Sequence, residues 1–354
     1  MRSGKYIHEG TIFFEERGAH KALFWRRDLN GMKRTELMIT VGFRYEDKMK
    51  VNMEMKMEDI QGGRDSALIT DLTKVWDESV RSSHHFLSEQ DILQIKPYVE
   101  MALREVKHLV VVYQNRQAKG FMGIQDGKIE MLFLSPDCIG QQLCSYLVDW
   151  AICTHGVTKV DVNEQNEQAA LFYERKGFRV ISRDEYDEQG NPFPILHLKL
   201  ADMTHMLAVS ENKKQFLELL MQGDEQESMI DRYLERGELH VLFDLEELKP
   251  AGVAVVTEEG EGICELKNLA IASAFQRKGL GTKMVDYLCR HYRHRFHTMQ
   301  VGTGDSRQTT SFYCHCGFNY SHTLKNFFMD NYDHPIVEEG KVLKDMLYFS
   351  KRLK

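Results

Sequence analysis

Gly279 and Gly281, set behind the polar trio Gln276, Arg277 and Lys278, are the residues whose type and spacing most directly imply chemistry. Glycine removes the side chain that would hold a ligand away from the backbone. Where such a loop leads into a helix, the free N–H groups of the first turn point at whatever rests there, and the helix dipole favours negative charge. The implied chemistry is anion binding by the main chain. The loop lacks the Gly-Lys-Ser/Thr ending of nucleotide-triphosphate loops and the three-glycine spacing of dinucleotide folds, so it fits neither class. Metal chemistry is not expected. The seven cysteines show no paired zinc spacing, and the ligand-like run Cys314-His315-Cys316 lies in a helical stretch that points its side chains in different directions.

The loop needs a strand before it and a helix behind it. Residues 265–271 supply the strand through Leu266, Leu269 and Ile271, and a helix from Thr282 carries Leu280, Met284, Val285 and Leu288 at helical spacing. Upstream, residues 213–234 read as a helical region with Phe216, Leu217, Leu220 and Met221 on one face. Residues 241–243 and 251–256 read as an antiparallel pair. The first half repeats this order. Residues 51–57 alternate like a strand, Leu72, Val75, Trp76 and Val80 form a helical stripe, and a second helix ends near Arg104. Strands follow at 109–113 and 120–123, joined by a turn over 114–119, then a strand at 130–135 and a helix marked by Leu143, Leu147 and Ala151.

A chain of 354 residues exceeds one ordinary core and suggests two domains. With 42% hydrophobic and 28% charged residues it reads as globular, and a net charge of -7 argues against a nucleic-acid partner. No apolar run approaches the roughly 20 residues of a membrane span, and the start lacks a signal-peptide core. A cytoplasmic protein with reduced thiols and no membrane partner is expected.

The loop resembles the Q/R-x-x-G-x-G/A signature of the GNAT superfamily of N-acetyltransferases. A second stretch, from Ser306 through Tyr313 to Gly317 and Phe318, resembles that superfamily's N-x-x-A-x-x-F-Y-x-x-x-G-F helix. In the first half, Asn166, Ala169, Phe172, Tyr173, Gly177 and Phe178 match the same helix motif closely, and residues 51–200 resemble small bacterial stand-alone GNAT proteins. The two copies can be laid on each other as an internal duplication. The fold implied is α/β (α+β): two consecutive GNAT domains at 51–200 and 203–354, each a mixed, mostly antiparallel twisted sheet flanked by helices. Residues 1–50 form an extension.

The resemblance implies acetyl-CoA as co-substrate and transfer of its acetyl group to the amine of a small molecule or peptide, with the chemistry in the second copy. In the first copy the loop reads Ile139-Gly-Gln-Gln142-Leu-Cys144, so Gln142 and Cys144 stand where the pattern has glycines. That copy is read either as a weakened anion site or as a packing partner. In the second copy, Leu269, Ile271, Gln276, Arg277, Lys278, Gly279, Leu280, Gly281, Thr282 and Ser306 are the implied cofactor contacts. Tyr313 stands at the position of the family's proton donor, although a tyrosine there can also serve packing. Glu265 occupies the position of a glutamate used as general base by histone-acetylating members. Residues 326–340 should form the last hairpin beside the acceptor pocket, so Asp330, Tyr332, Asp333 and His334 are candidates for gripping a cationic acceptor or, alternatively, for a self-satisfied polar turn. A second functional reading is a non-catalytic acetyl-CoA sensor or protein-interaction module.

Residues 1–50 carry no motif. The short apolar runs 12–14, 22–25 and 37–41 read either as an added β element or as upstream text of an over-long reading frame starting at Met49 or Met53.

Overall fold

The computed structural model describes the backbone of three N-terminal strands, β1 (Tyr6–His8), β2 (Thr11–Glu16) and β3 (Ala19–Ala22), and then residues 55–60 and 62–354. The three strands form a small antiparallel sheet in the order β1-β2-β3. The run at 12–14 lies in β2. The run at 37–41, and the parts of 22–25 and 51–57 that fall in residues 23–54, lie outside the described residues.

Two compact units follow. The first contains β4 (Met55–Ile60), α1 (Ser66–Ser83), α2 (Glu89–Glu105), β5 (His108–Gln114), β6 (Gln117–Gln125) and β7 (Lys128–Leu134). It continues with α3 (Leu143–His155), β8 (Lys159–Asn163), α4 (Glu167–Arg175), β9 (Phe178–Asp184) and β10 (Ile195–Leu200). The second contains β11 (Thr204–Val209), α5 (Leu217–Leu220), α6 (Glu227–Leu234), β12 (Glu238–Asp244), β13 (Lys249–Gly260), β14 (Ile263–Ile271) and α7 (Leu280–Tyr292). It closes with β15 (Thr298–Thr303), α8 (Arg307–His315), β16 (Asn319–Leu324), α9 (Phe327–Asn331), β17 (Val337–Glu338), β18 (Lys341–Val342) and β19 (Met346–Arg352).

The two large sheets have the same strand order position by position: β4-β5-β6-β7-β8-β10-β9 and β11-β12-β13-β14-β15-β19-β16. In each, one central pair runs parallel, β7 with β8 and β14 with β15. Among the described residues no helix is long and apolar enough to cross a membrane.

The apolar stripes set the packing. In the first unit Ile69, Leu72, Val75, Trp76 and Val80 of α1 are buried with Ile92 and Leu103 of α2 against Leu109, Val111 and Phe121. Asp65 caps α1 by accepting from the Leu68 amide at 2.8 Å, and Ser88 with Asp91 forms a reciprocal capping box on α2. In the second unit Met284, Val285, Leu288 and Tyr292 of α7 are almost fully buried against Leu242, Ala254, Val256, Cys264 and Leu266. Burial of each such side chain stabilises the fold by about 1.5–3 kcal/mol.

Several sequence expectations shift in detail. The turn after β5 is confined to Asn115 and Arg116, both with positive φ, rather than spread over 114–119. The region 213–234 is not one helix but a tight turn, the short α5, a bend and then α6, because Gly223 interrupts it. A Cβ on Gly223 would stand 2.6 Å from Asn268 Oδ1, so the chain can pass β14 there only without a side chain. The stretch 326–340 is not a simple hairpin. Asn326, in the left-handed region at φ 55°, starts α9, and only then does the two-residue ladder β17–β18 form.

Candidate active site

Two irregularities of β14 build the site. The first is a β-bulge: Val255 pairs with Asn268 and Val256 with Leu266, so Lys267 has no partner on β13. The second is a splay. The ladder with β15 runs from Ile263 paired with Thr298 to Leu266 paired with Val301 and stops there, although β14 continues to Ile271. The edge of β14 facing β15 is therefore without a strand partner beyond Leu266, and this notch runs straight into the loop.

The loop turns through Arg277 at φ 61° and Gly279 at φ 78°, and α7 begins at Leu280, the first residue of its apolar pattern and two residues before Thr282. Gly279 has the left-handed geometry that favours glycine, and a Cβ added to it would meet nothing within 4 Å. It leaves open space above the helix N-terminus, as a bound anion requires. Gly281 serves a different purpose from the one expected. Its Cβ would press on the Phe312 ring at 3.3 Å, so this glycine lets α7 approach α8 and has only its main chain to offer a ligand. Gln276 donates from Nε2 to the Ile271 carbonyl at 2.8 Å and ties the loop to the strand end. The Lys278 ammonium lies over the Phe275 ring at 5.2 Å. Thr282 reaches the Cys316 thiol just beyond α8. Leu269 and Ile271 keep partly buried side chains against the core, so what they offer a ligand is main chain.

Ser306 is buried and serves as the cap of α8: its Oγ accepts from the Thr309 amide at 3.3 Å and is 2.8 Å from Thr309 Oγ1. Its hydroxyl therefore has a structural task inside α8. Tyr313, in the last turn of α8, is buried against Phe312 and Phe318, and burial pushes its phenol well above the ordinary value. It stays protonated at any physiological pH.

Glu265 is not the lone carboxylate that its position suggested. It is buried, its Oε2 lies 2.8 Å from Lys267 Nζ, and its Oε1 accepts from the Tyr348 hydroxyl at 3.1 Å. A second carboxylate, which the sequence did not single out, has the features expected of a base. Asp224, in the bend between α5 and α6, accepts from the Tyr233 hydroxyl at 3.2 Å and from the Tyr332 hydroxyl at 3.0 Å. Burial raises its pKa, and the two tyrosines and the Gln226 amide offset only part of that. Among the described residues it forms no ion pair. Asn268, on the bulged strand, links this group to the sheet by donating to Tyr233 Oη and to the Leu220 carbonyl, each at 3.0 Å.

Of the four proposed acceptor contacts, only Tyr332 joins this network. Asp330 is exposed on α9, and Asp333 and His334 pair with each other at 2.6 Å on the surface. The Asp333 amide donates to Gln226 Oε1 at 2.9 Å. Asp224 was missed because a lone acidic residue in a bend has no spacing signature. The only available signal was its place before Tyr233, within a glycine-interrupted helical stretch.

Comparison with known proteins agrees with this architecture. The Acetyltransferase (GNAT) domain model matches residues 77–199, and the Acetyltransferase (GNAT) family model matches residues 207–318. The peptidyl-lysine N-acetyltransferase YjaB of Escherichia coli is 36% identical over 128 residues, spanning 36% of this chain and 87% of that protein. The chain belongs to the GNAT acetyltransferase family. It is an acyltransferase built from two GNAT domains in tandem, since each unit separately carries the seven-stranded sheet. The uncharacterized N-acetyltransferase YvbK of Bacillus subtilis is 32% identical over 139 residues, which is 39% of this chain and 88% of YvbK. Among solved structures, a GNAT family acetyltransferase from Elizabethkingia anophelis with acetyl-CoA bound is 28% identical, covering 43% of this chain and 99% of that one at a TM-score of 0.41.

Proposed function

We propose that the second GNAT domain transfers an acetyl group from acetyl-CoA to a primary amine of a small molecule or peptide, and that Asp224 is the proton acceptor. The observation that carries this reading is the unpaired end of β14 leading into a loop whose Gly279 leaves room for a ligand. Residues 279–282 would hold the diphosphate by main-chain N–H groups, and the free edge of β14 near Leu269 and Ile271 would hold the pantetheine arm. Acetyl-CoA, when bound, supplies the acyl group as a thioester.

The rest is work for this chain's own side chains. Asp224, desolvated but not neutralised, attracts an ammonium and takes a proton from it, which frees the nitrogen lone pair. Tyr233 and Tyr332 orient its two oxygens. Tyr313 holds a proton at Oη for the leaving sulfur. Glu265, paired with Lys267 and Tyr348, is assigned a positioning role in place of the general-base role that the family resemblance implies. The similarity to the YjaB proteins, which are peptidyl-lysine N-acetyltransferases, favours a lysine side chain as the first acceptor to try.

The test is thiol release by the full chain over lysine peptides, polyamines, aminoglycosides and amino acids, with cofactor binding measured alongside. Asp224→Asn should lower kcat/KM about 100-fold or more and abolish the acidic limb of the pH profile, whereas Glu265→Gln should leave that limb in place. Tyr313→Phe should lower kcat with little change in cofactor affinity. Cofactor binding without turnover on any amine would overturn the enzymatic reading of this domain. Loss of the limb in Glu265→Gln but not in Asp224→Asn would return the base to Glu265.

A further inference from the structure

A different part of the molecule carries ligand chemistry that the acetyl-transfer site does not use. In the first unit, Asp59 on β4, His108 at the start of β5 and His155 at the end of α3 bring their ligand atoms within 4.8 Å of one another. His108 Nδ1 lies 3.6 Å, and His155 Nε2 4.0 Å, from Asp59 Oδ2. We propose that Asp59, His108 and His155 form a binding site for a divalent transition-metal ion of the zinc class.

Three observations support the assignment. The donor set, two imidazole nitrogens and one carboxylate oxygen, is the borderline-soft combination that zinc-class ions prefer. An ion with bonds of roughly 2.0–2.2 Å holds its ligands roughly 3.3–3.6 Å apart, so the observed separations need only small side-chain rotations. His108 Nδ1 is buried and has no hydrogen-bond partner among the described residues, which is costly for an imidazole nitrogen unless something else satisfies it. The site is also stiff, because the ligands come from two paired strands and a helix end. His155 is flanked by the Trp150 ring at 4.7 Å and by the His108 ring at 4.6 Å. Arg64 feels the Asp59 charge, but its guanidinium is committed to the carbonyls of Leu103 and Arg104 at 3.1 and 3.0 Å.

The second unit provides an internal control. The equivalent corner has Glu238 at the start of β12 and Tyr292 at the end of α7. There Tyr292 donates to Glu238 at 2.9 Å, and Arg295 sits on the same carboxylate at 2.6 Å. That corner also brings His240 and His291 to Glu238, and His240 Nδ1 is likewise unsatisfied among the described residues, but Arg295 already neutralises the carboxylate and His240 Nε2 is held by the Tyr292 hydroxyl at 2.8 Å. One duplicated corner is closed by a hydrogen-bonded ion pair, and the other has the donor set of a metal site.

The test uses the full chain, made without a histidine tag, stripped with chelator and titrated with Zn²⁺ and, as a spectroscopic probe, Co²⁺. One equivalent of Zn²⁺ should survive gel filtration and raise Tm, and Co²⁺ should give visible absorption of a low-coordinate nitrogen and oxygen site. His108→Asn and His155→Asn should each weaken Zn²⁺ affinity at least tenfold, while His291→Ala should change nothing. Should the variants fold poorly, mapping of histidine modification in the wild-type chain gives an independent readout, since Zn²⁺ should protect His108 and His155 selectively. Substoichiometric uptake, or uptake unchanged in a His108→Asn/His155→Asn double variant, would overturn the proposal.

Discussion

The two loops ahead of α3 and α7 have nearly the same backbone and different side chains. In the second unit the left-handed residues are Arg277 and Gly279, and in the first they are Gly140 at φ 83° and Gln142 at φ 58°. Each leads into a helix of 13 residues, α7 or α3, with Gly279 or Gln142 as the capping residue. One of the two strained positions in each loop is a glycine, but the glycine has moved. In the second unit it stands next to the helix, where a ligand would rest. In the first unit that place is taken by Gln142, whose side chain is exposed. Loop shape therefore survives duplication more readily than loop chemistry, and a missing glycine in the sequence does not by itself mean a lost conformation. The bulged strands diverge further. Where β14 carries Glu265, Lys267 and Asn268, the equivalent positions of β7 carry Lys128, Glu130 and Met131, with Glu130 the bulged residue. The first unit nevertheless retains Asn166 as the cap of α4 and a buried Tyr173 in the place of Tyr313. At the place of Asn268 it has Met131, which cannot donate the two hydrogen bonds that Asn268 makes to Leu220 and Tyr233.

The strongest way to break this comparison is to fill the space above α7. Gly279→Arg puts a long side chain on a left-handed residue where a ligand would rest, and should abolish acetyl-CoA binding in a calorimetric titration that otherwise finds one site per chain. Gln142→Arg should leave that titration unchanged. Two sites in the unmodified chain would show that the exposed glutamine is no barrier and that the loops are functionally equal.

A smaller effect comes from carrying the first unit's chemistry into the second. Asn268→Met removes the donor to Leu220 O and Tyr233 Oη and leaves both acceptors buried. It should cost about 1–3 kcal/mol of stability and lower kcat/KM by freeing Asp224 and Tyr233 from their alignment, with cofactor affinity retained. If activity falls no further than folding does, the network is structural and Asp224 loses its assigned role.

These pairs also show how far the sequence could be read. The apolar stripe of α7, the strand at Leu266 and Ile271 and the duplication were all legible because periodicity and motif order are local signals. The roles of individual residues were less legible. Gly281 also makes room for Phe312, Ser306 also caps its own helix, and Glu265 is paired with a lysine two residues away. Each depends on which atoms the fold brings opposite, and that information is absent from spacing. Asp224 is the extreme case, since its partner Tyr332, and the Asn268 that holds its other partner Tyr233, come from segments far away in the chain.

A gain is expected from the converse change in the first loop. Gln142 has φ 58° without the licence of a missing Cβ, a conformation that costs an ordinary residue about 1–2 kcal/mol. Gln142→Gly relieves that cost but adds flexibility to the unfolded chain, so a net stabilisation of about 0.5–1 kcal/mol is expected in denaturant unfolding. If the comparison of the strands is right, this variant shows no new acetyltransferase activity, because Met131 still occupies the place of Asn268. New turnover that persists when Asp224→Asn is added would locate a second competent active site in the first unit.

The smallest effect concerns pH and an ion cluster on the first sheet. His197 lies between Asp161 at 2.7 Å and Asp184 at 3.0 Å, and Lys128 shares Asp161 at 2.8 Å. Hydrogen bonds to the two carboxylates raise its pKa above the ordinary histidine value. The native state therefore binds the proton more tightly than the unfolded chain. The stabilisation is complete below the ordinary histidine pKa and is lost as pH rises through the raised one. His197→Gln should flatten this part of the stability curve in unfolding measurements at a series of pH values near and above neutrality. The equivalent position on β19 lacks a histidine, so no matching decline is expected from that position. A variant with the same slope as the unmodified chain would show that the cluster is solvated and makes no contribution.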